Sequence, residues 1–198
     1  MNYQDLIALA FKDKDFRSVM DANKINFLAK TCCDILEKNI QGDIAECGVY
    51  LGGTARLIST IFSNKKVFLF DSFCGFIKDD TMQNAFRKGS FSDTSLEKVK
   101  EYLSDRNNCV FIPGWLPESA TPVKHNTFSL VHLDMDYYES TIKSLEVFWP
   151  LIPVGGVIIF DDWDHPCCPG VTVSIKEFFA NIDHNMIIDG NMCAIYKT

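Results

Sequence analysis

Apolar positions along the chain fall into two rhythms. From Asp21 to Lys38, Ile25, Leu28, Ala29, Cys32, Ile35 and Leu36 recur at helical spacing and predict an amphipathic helix. Short unbroken apolar runs then take over. Ile44-Ala45-Glu46-Cys47-Gly48, opened by Gly42, is too short for a helix. Val67-Phe68-Leu69-Phe70, ending at Asp71, is what a strand covered on both faces presents. Thr54 to Phe62 between them predicts a helix. Asp79 to Ser92 is polar and without period, a loop or mobile lid. A Thr94/Ser95 start followed by Glu97 predicts a helix from Ser95 to Leu103. Strands follow at Cys109–Pro113, Ser129–Leu133 and Val157–Phe160. The helix between the last two, Tyr138–Trp149, is closed by Pro150 and the Pro153-Val154-Gly155-Gly156 turn. A helix over Val173–Phe179 precedes a hairpin, Met186–Asp189 with Cys193–Tyr196, around Gly190-Asn191.

Strands that alternate with helices and are nearly all apolar define an α/β fold: a mostly parallel seven-stranded sheet with helices on both faces and an antiparallel C-terminal hairpin. The 198 residues suit a single domain. Within it, 1–41 form an N-terminal helical segment packed on the core, and 42–198 form the catalytic fold. The apolar stripe of the helix from Asp21 is read as core, and association into a homo-oligomer is left open.

A net charge of −7 and a pI near 5.0, with no Lys/Arg cluster, argue against a nucleic-acid partner. No apolar run approaches the length that spans a bilayer, and no signal peptide is visible before Ala10. The eight cysteines contain no C-x-x-C pair, and several lie in apolar runs, where a free thiol acts as a small hydrophobe. A reduced, cytoplasmic protein acting on a small molecule is the resulting expectation.

In parallel α/β sheets ligands bind at the carboxyl ends of the strands, so the residues following each strand matter most. After the first comes Glu46-Cys47-Gly48-Val49-Tyr50-Leu51-Gly52-Gly53-Thr54. This E-x-G-x-x-x-G spacing is no dinucleotide fingerprint. Its glycines let a ligand approach the backbone, and its acid suits a cationic or amino-acid end better than a pyrophosphate. After the second strand, Asp71 is placed to accept ribose hydroxyls. Leu133-Asp134-Met135-Asp136 and Phe160-Asp161-Asp162-Trp163-Asp164 bring further carboxylates to the strand ends. If those strands are neighbours, Asp134 and the Asp161-Asp162 pair converge, and such a group needs a cation. Oxygen-only ligands favour a hard ion such as Mg²⁺. For any one of these acids the plainer role is a helix cap or solvated turn. His132, on a buried strand, is read as a core residue; His125 and His184 as surface residues; His165 as a possible contact to an acceptor. No Ser or Cys sits in a G-x-S-x-G elbow, so no covalent nucleophile is indicated.

Four blocks, in this order and spacing, resemble the TylF/MycF family of S-adenosylmethionine-dependent sugar O-methyltransferases. They are Gly42-Asp43-Ile44-Ala45-Glu46-Cys47-Gly48-Val49-Tyr50, Phe70-Asp71-Ser72-Phe73-Cys74-Gly75-Phe76, Leu133-Asp134-Met135-Asp136-Tyr137-Tyr138-Glu139-Ser140-Thr141, and Val154-Gly155-Gly156 through Phe160-Asp161-Asp162. The resemblance implies a class I methyltransferase, Rossmann-like fold. It implies that Glu46, Gly48, Tyr50, Gly52 and Thr54 line the methionine end of S-adenosylmethionine and that Asp71 holds the ribose. Ser72 and the Gly114-Trp115 turn would lie near the adenosine. Asp134, Asp161 and Asp162 would hold Mg²⁺, and Asp136 would be the general base toward an acceptor hydroxyl. The chain departs from the family in being shorter before Gly42, in Trp163-Asp164-His165-Pro166-Cys167-Cys168-Pro169-Gly170, and in a helix at Val173 without an alanine-rich start. All three bear on the acceptor.

Other readings are a metal-dependent glycosyltransferase using Asp134-Met135-Asp136 as a D-x-D motif, and a cofactor-binding scaffold without catalysis. A nitrogen or carboxylate acceptor stays open within the methyltransferase reading.

Overall fold

The computed structural model describes residues 2–12 and 14–198. Its sheet has seven strands: β1 (Asp43–Cys47), β2 (Val67–Asp71), β3 (Cys109–Pro113), β4 (Phe128–Leu133), β5 (Val157–Phe160), β6 (His184–Asp189) and β7 (Met192–Lys197). Their spatial order is β3-β2-β1-β4-β5-β7-β6. The first five run parallel; β7 is antiparallel to both β5 and β6. The strand order reverses between β1 and β4, which opens a crevice beyond Cys47 and Leu133.

Among the described residues six α-helices cover the sheet: α1 (Tyr3–Ala10), α2 (Ala22–Glu37), α3 (Gly53–Ile61), α4 (Leu96–Tyr102), α5 (Tyr138–Phe148) and α6 (Pro169–Phe178). Ile44, Leu69, Leu130 and Ile159 point to the side of α1–α4, where Leu28, Cys32, Leu57 and Val99 meet them. Ala45, Phe68, Val131 and Ile158 point to α5 and α6, against Leu145, Phe148 and Ile175. Burial on both faces is why these strands read as unbroken apolar runs rather than alternating ones.

The stripe on α2 is buried in this core through Ile25, Leu28, Ala29, Cys32 and Ile35. Asp21 caps the helix, accepting from the amides of Asn23 (2.7 Å) and Lys24 (3.0 Å). Helix α1 lacks a counterpart in the sequence reading. Its Asn2–Asp5 capping box is clear in hindsight, but at eight residues its apolar period is too brief to stand out. The last helix starts at Pro169, four residues before the expected Val173. Proline fits a first helical position, where no amide donor is needed, and Gly170 lets the helix close onto Tyr138. The stretch Asp79–Ser92 contains no helix or strand, as expected.

Candidate active site

A cavity of about 380 Å³ occupies the crevice at the switch point, within the ~300–1,000 Å³ span of small-molecule sites. One wall is the turn after β1. Gly48 takes a φ of +87°, and a Cβ there would lie 1.9 Å from the carbonyl oxygen of Asp134. That position therefore demands glycine, and it sets how closely the β1 and β4 ends approach. Asp71, at the end of β2, holds the same turn. Its Oδ2 accepts from the amides of Val49 (2.7 Å) and Tyr50 (2.9 Å), and its Oδ1 from Phe73 (2.6 Å). Asp71 is thus a scaffold for the β1 turn as well as a cavity-lining acid.

The adjoining wall, from the ends of β4 and β5, is acidic. Asp134, Asp136 and Asp162 each present a carboxylate oxygen, all within 4.8 Å of one another. Burial pushes the Asp134 and Asp136 carboxyls well above the usual carboxylate range. Neighbouring acids push further, Asp161 acting on Asp134 and Asp162 on Asp136. Asp136 is fixed by a side chain from the Asp79–Ser92 loop: Asn84, itself buried, donates Nδ2 to the Asp136 carbonyl at 2.8 Å. Cys168 Sγ donates to Asp136 Oδ1 at 3.4 Å.

Asp161 is engaged elsewhere. Lys24, from the first turn of α2, pairs with Asp161 Oδ1 and lies 3.0 Å from Asp162 Oδ1. Burial pulls the Lys24 ammonium down, yet the two carboxylates outweigh it and raise its pKa above the ordinary value. The expected metal set Asp134, Asp161 and Asp162 and the expected base Asp136 all line the cavity. Asp136 joins Asp134 and Asp162, while Asp161 faces a lysine. Lys24 lies one turn before Leu28 on the buried stripe of α2. A charge on such a stripe was the available signal.

Of the expected cofactor contacts, Gly48, Tyr50, Asp71, Ser72, Gly114 and Trp115 line the cavity; Glu46, Gly52 and Thr54 do not. Gly52 is the left-handed N-cap of α3, and Thr54 is buried within that helix. Glu46 stands directly opposite His132 in the β1–β4 register, so both side chains share the face toward α2. They are fully buried, with His132 Nδ1 3.0 Å from Glu46 Oε1. Among the described residues, Glu46 Oε2 and His132 Nε2 have no partner. Tyr50 instead donates its hydroxyl to Asp93 at 2.9 Å. Aromatic side chains form the roof: Phe76 stacks on Tyr137 with centroids 4.1 Å apart, and Phe91 lies edge-on to Tyr50 and Phe76.

A seven-stranded sheet of this order, with the reversed hairpin and the cavity at its switch point, is the class I methyltransferase fold. The solved structure of the O-methyltransferase NovP matches it with a TM-score of 0.79 at 25% identity, over 91% of this chain and 82% of that one. The chain belongs to the macrocin-O-methyltransferase (TylF) family, whose family model matches residues 16–197. Among curated relatives, demethyldecarbamoylnovobiocin O-methyltransferase of Streptomyces niveus is 29% identical over 76% of this chain. Mycinamicin III 3''-O-methyltransferase of Micromonospora griseorubida is 27% identical, also over 76%. The chain spans 63% of the length of the first and 66% of the second. No helix among the described residues is long and apolar enough to cross a membrane.

Proposed function

We propose that the protein transfers a methyl group from S-adenosylmethionine to a hydroxyl of a small molecule, a sugar of a natural product or glycan being the favoured acceptor. The observation that carries the reading is the meeting of Asp134, Asp136 and Asp162 in the same cavity as the Gly48–Asp71 turn. The relatives named above are O-methyltransferases, two of them of natural products, which points to the same chemistry. S-adenosylmethionine would supply a methyl group already activated on a sulfonium, leaving orientation and deprotonation of the acceptor to the protein.

The residues fit that ligand. Gly48 offers bare backbone, and Asp71 lines the cavity beside Ser72. The Gly114-Trp115 turn supplies an apolar plate. The acidic cluster fits a hard divalent ion such as Mg²⁺, since three crowded carboxylates are all-oxygen donors. Asp134 and Asp162 would hold the ion, and Asp161 would join them only by releasing Lys24. Bound there, the ion would supply charge that makes the acceptor hydroxyl more acidic. Asp136 takes the hydroxyl proton, positioned by Asn84 and Cys168. The aromatic roof excludes water from the reacting groups. Cysteines that are all unpaired accord with a reducing, cytoplasmic setting.

Calorimetric titration with S-adenosylhomocysteine, followed by radiolabelled methyl transfer to sugar diols with and without Mg²⁺, tests the reading. Asp136→Asn should retain S-adenosylhomocysteine binding and lose about 10²–10⁴-fold in kcat. Thermal stabilisation by a nucleotide-sugar with Mn²⁺, and none by S-adenosylhomocysteine, would replace it with glycosyl transfer. S-adenosylhomocysteine binding without transfer to any acceptor would leave a cofactor-binding scaffold.

A further inference from the structure

After β5 the chain runs Asp161-Asp162-Trp163-Asp164-His165-Pro166-Cys167-Cys168, a stretch that the proposed methyl transfer uses only in part. Asp162, His165 and Cys168 follow one another at intervals of three, and the turn folds that spacing inward. The His165 amide donates to the Asp162 carbonyl at 3.2 Å, and the Cys168 amide to the His165 carbonyl at 3.1 Å. One carboxylate oxygen, one imidazole nitrogen and the Cys168 sulfur consequently lie within 4.8 Å of one another.

The turn is held from outside as well. The Trp163 amide donates to the Asn191 carbonyl at 2.8 Å, and Asn191 Nδ2 returns a bond to the Trp163 carbonyl at 2.9 Å. The Asp164 amide donates to Thr172 Oγ1 at 2.7 Å. His165 is oriented by the Cys167 amide, which donates to its Nδ1 at 3.3 Å. Asp162 and Cys168 are buried, while His165 is half-buried at the cavity wall. A buried sulfur and a fixed imidazole opening onto a cavity make a preformed site with an entry path.

Its donors are one oxygen, one nitrogen and one sulfur. Mg²⁺ and Ca²⁺ take oxygen ligands, whereas zinc-type ions take thiolate and imidazole together. We propose that Asp162, His165 and Cys168 form a second cation site, selective for a thiophilic divalent ion of the zinc type and antagonistic to the all-oxygen cluster with which it shares Asp162. Coordination forms a metal–sulfur bond and breaks the S–H bond, and the proton leaves to solvent. The cavity side leaves a fourth position for water. Occupancy withdraws Asp162 from the oxygen cluster and removes the Cys168 donor from Asp136. Thiophilic ions therefore act against any hard-ion chemistry in this cavity. The ligand set stands on this turn alone, while the antagonism rests on the hard-ion site of the proposed function.

Co²⁺ titrated into the full chain under a non-coordinating phosphine reductant is the test. A thiolate-to-cobalt charge-transfer band in the near ultraviolet should saturate at about one equivalent. Cys168→Ser should abolish the band and Cys167→Ser should keep it. His165→Ala, at a half-buried position that tolerates truncation, should weaken Co²⁺ binding at least tenfold. Zn²⁺ at about one equivalent should lower Mn²⁺ affinity for the oxygen cluster at least tenfold. No charge-transfer band in the natural protein, or a band surviving in Cys168→Ser, overturns the site. Full Co²⁺ affinity in His165→Ala overturns the ligand set, and this variant decides the matter if Cys168→Ser does not fold. Mn²⁺ affinity unchanged by Zn²⁺ overturns the antagonism. S-adenosylhomocysteine binding, measured on the same preparation, reports on the methyltransferase reading separately.

Discussion

At the scale of single residues, Lys24 is the side chain on which the acidic cavity turns. It brings a positive charge from 138 positions away to Asp162, and to Asp161 beside it. Removing it leaves two buried acids uncompensated. Lys24→Met should lower the stability of the metal-free protein by about 3 kcal/mol, read by denaturant titration. It should also raise Mn²⁺ affinity at least tenfold by calorimetry, because the ion no longer competes with an ammonium. Unchanged Mn²⁺ affinity would mean that Lys24 and the ion do not share the cluster. Gly48 gives the second prediction at this scale. Gly48→Ala forces a Cβ into the Asp134 carbonyl at positive φ and should cost about 3 kcal/mol or more, with loss of S-adenosylhomocysteine binding. The acids and glycines were legible from sequence because each follows an apolar run and so falls at a strand end. Asp161 facing a lysine was not legible, since only tertiary packing brings α2 over β5. Glu46 was read toward the ligand, yet strand alternation turns it onto the face of His132.

Between elements, Arg56 of α3 ties the end of α1 to the turn after α4. Its Nε donates to the Ala10 carbonyl at 2.6 Å, and its guanidinium grips Asp105 through two bonds of 2.7 Å. The Arg56 side chain is buried, while Asp105 is 44% exposed, so the pair is only partly desolvated. Asp105→Ala should destabilise by about 1–2 kcal/mol after allowance for solvent screening. The Arg56 guanidinium holds the Asp105 carboxyl below its ordinary 3.8 in the folded chain. The contribution is therefore complete above that value and fades as the pH falls toward the folded-state value. Melting temperatures of the natural protein and Asp105→Ala should differ by a constant amount above pH 5 and draw progressively closer as the pH falls below 3.8. Most elements were readable because period and length agree for long segments. The start of α6 was missed because Cys167-Cys168-Pro169-Gly170 reads as loop punctuation, although the same proline and glycine serve a helix N-terminus packed on α5.

Over the whole molecule, the cavity is closed by a stretch without regular structure. Lys78 pairs with Glu139, Asp80 accepts from the Tyr138 amide, and the Ala85 amide donates to the Cys167 carbonyl. These few clasps hold the Asp79–Ser92 loop to α5 and to the turn after β5. Hydrogen exchange across that loop should be faster than in the strands and should slow at least tenfold when S-adenosylhomocysteine is bound. Equal rates with and without the ligand would show that the loop is not a lid. Such a closure spans elements far apart in sequence, which is why polarity marked the loop but not what it clasps. The sheet order has a further effect, on how the chain is built. Because β7 is inserted between β5 and β6, the edge of β5 has no partner until residues 192–197 leave the ribosome. The nascent chain thus exposes the apolar edge of the four-residue β5 until β7 follows it. That interval, rather than the finished fold, is when it most needs a chaperone.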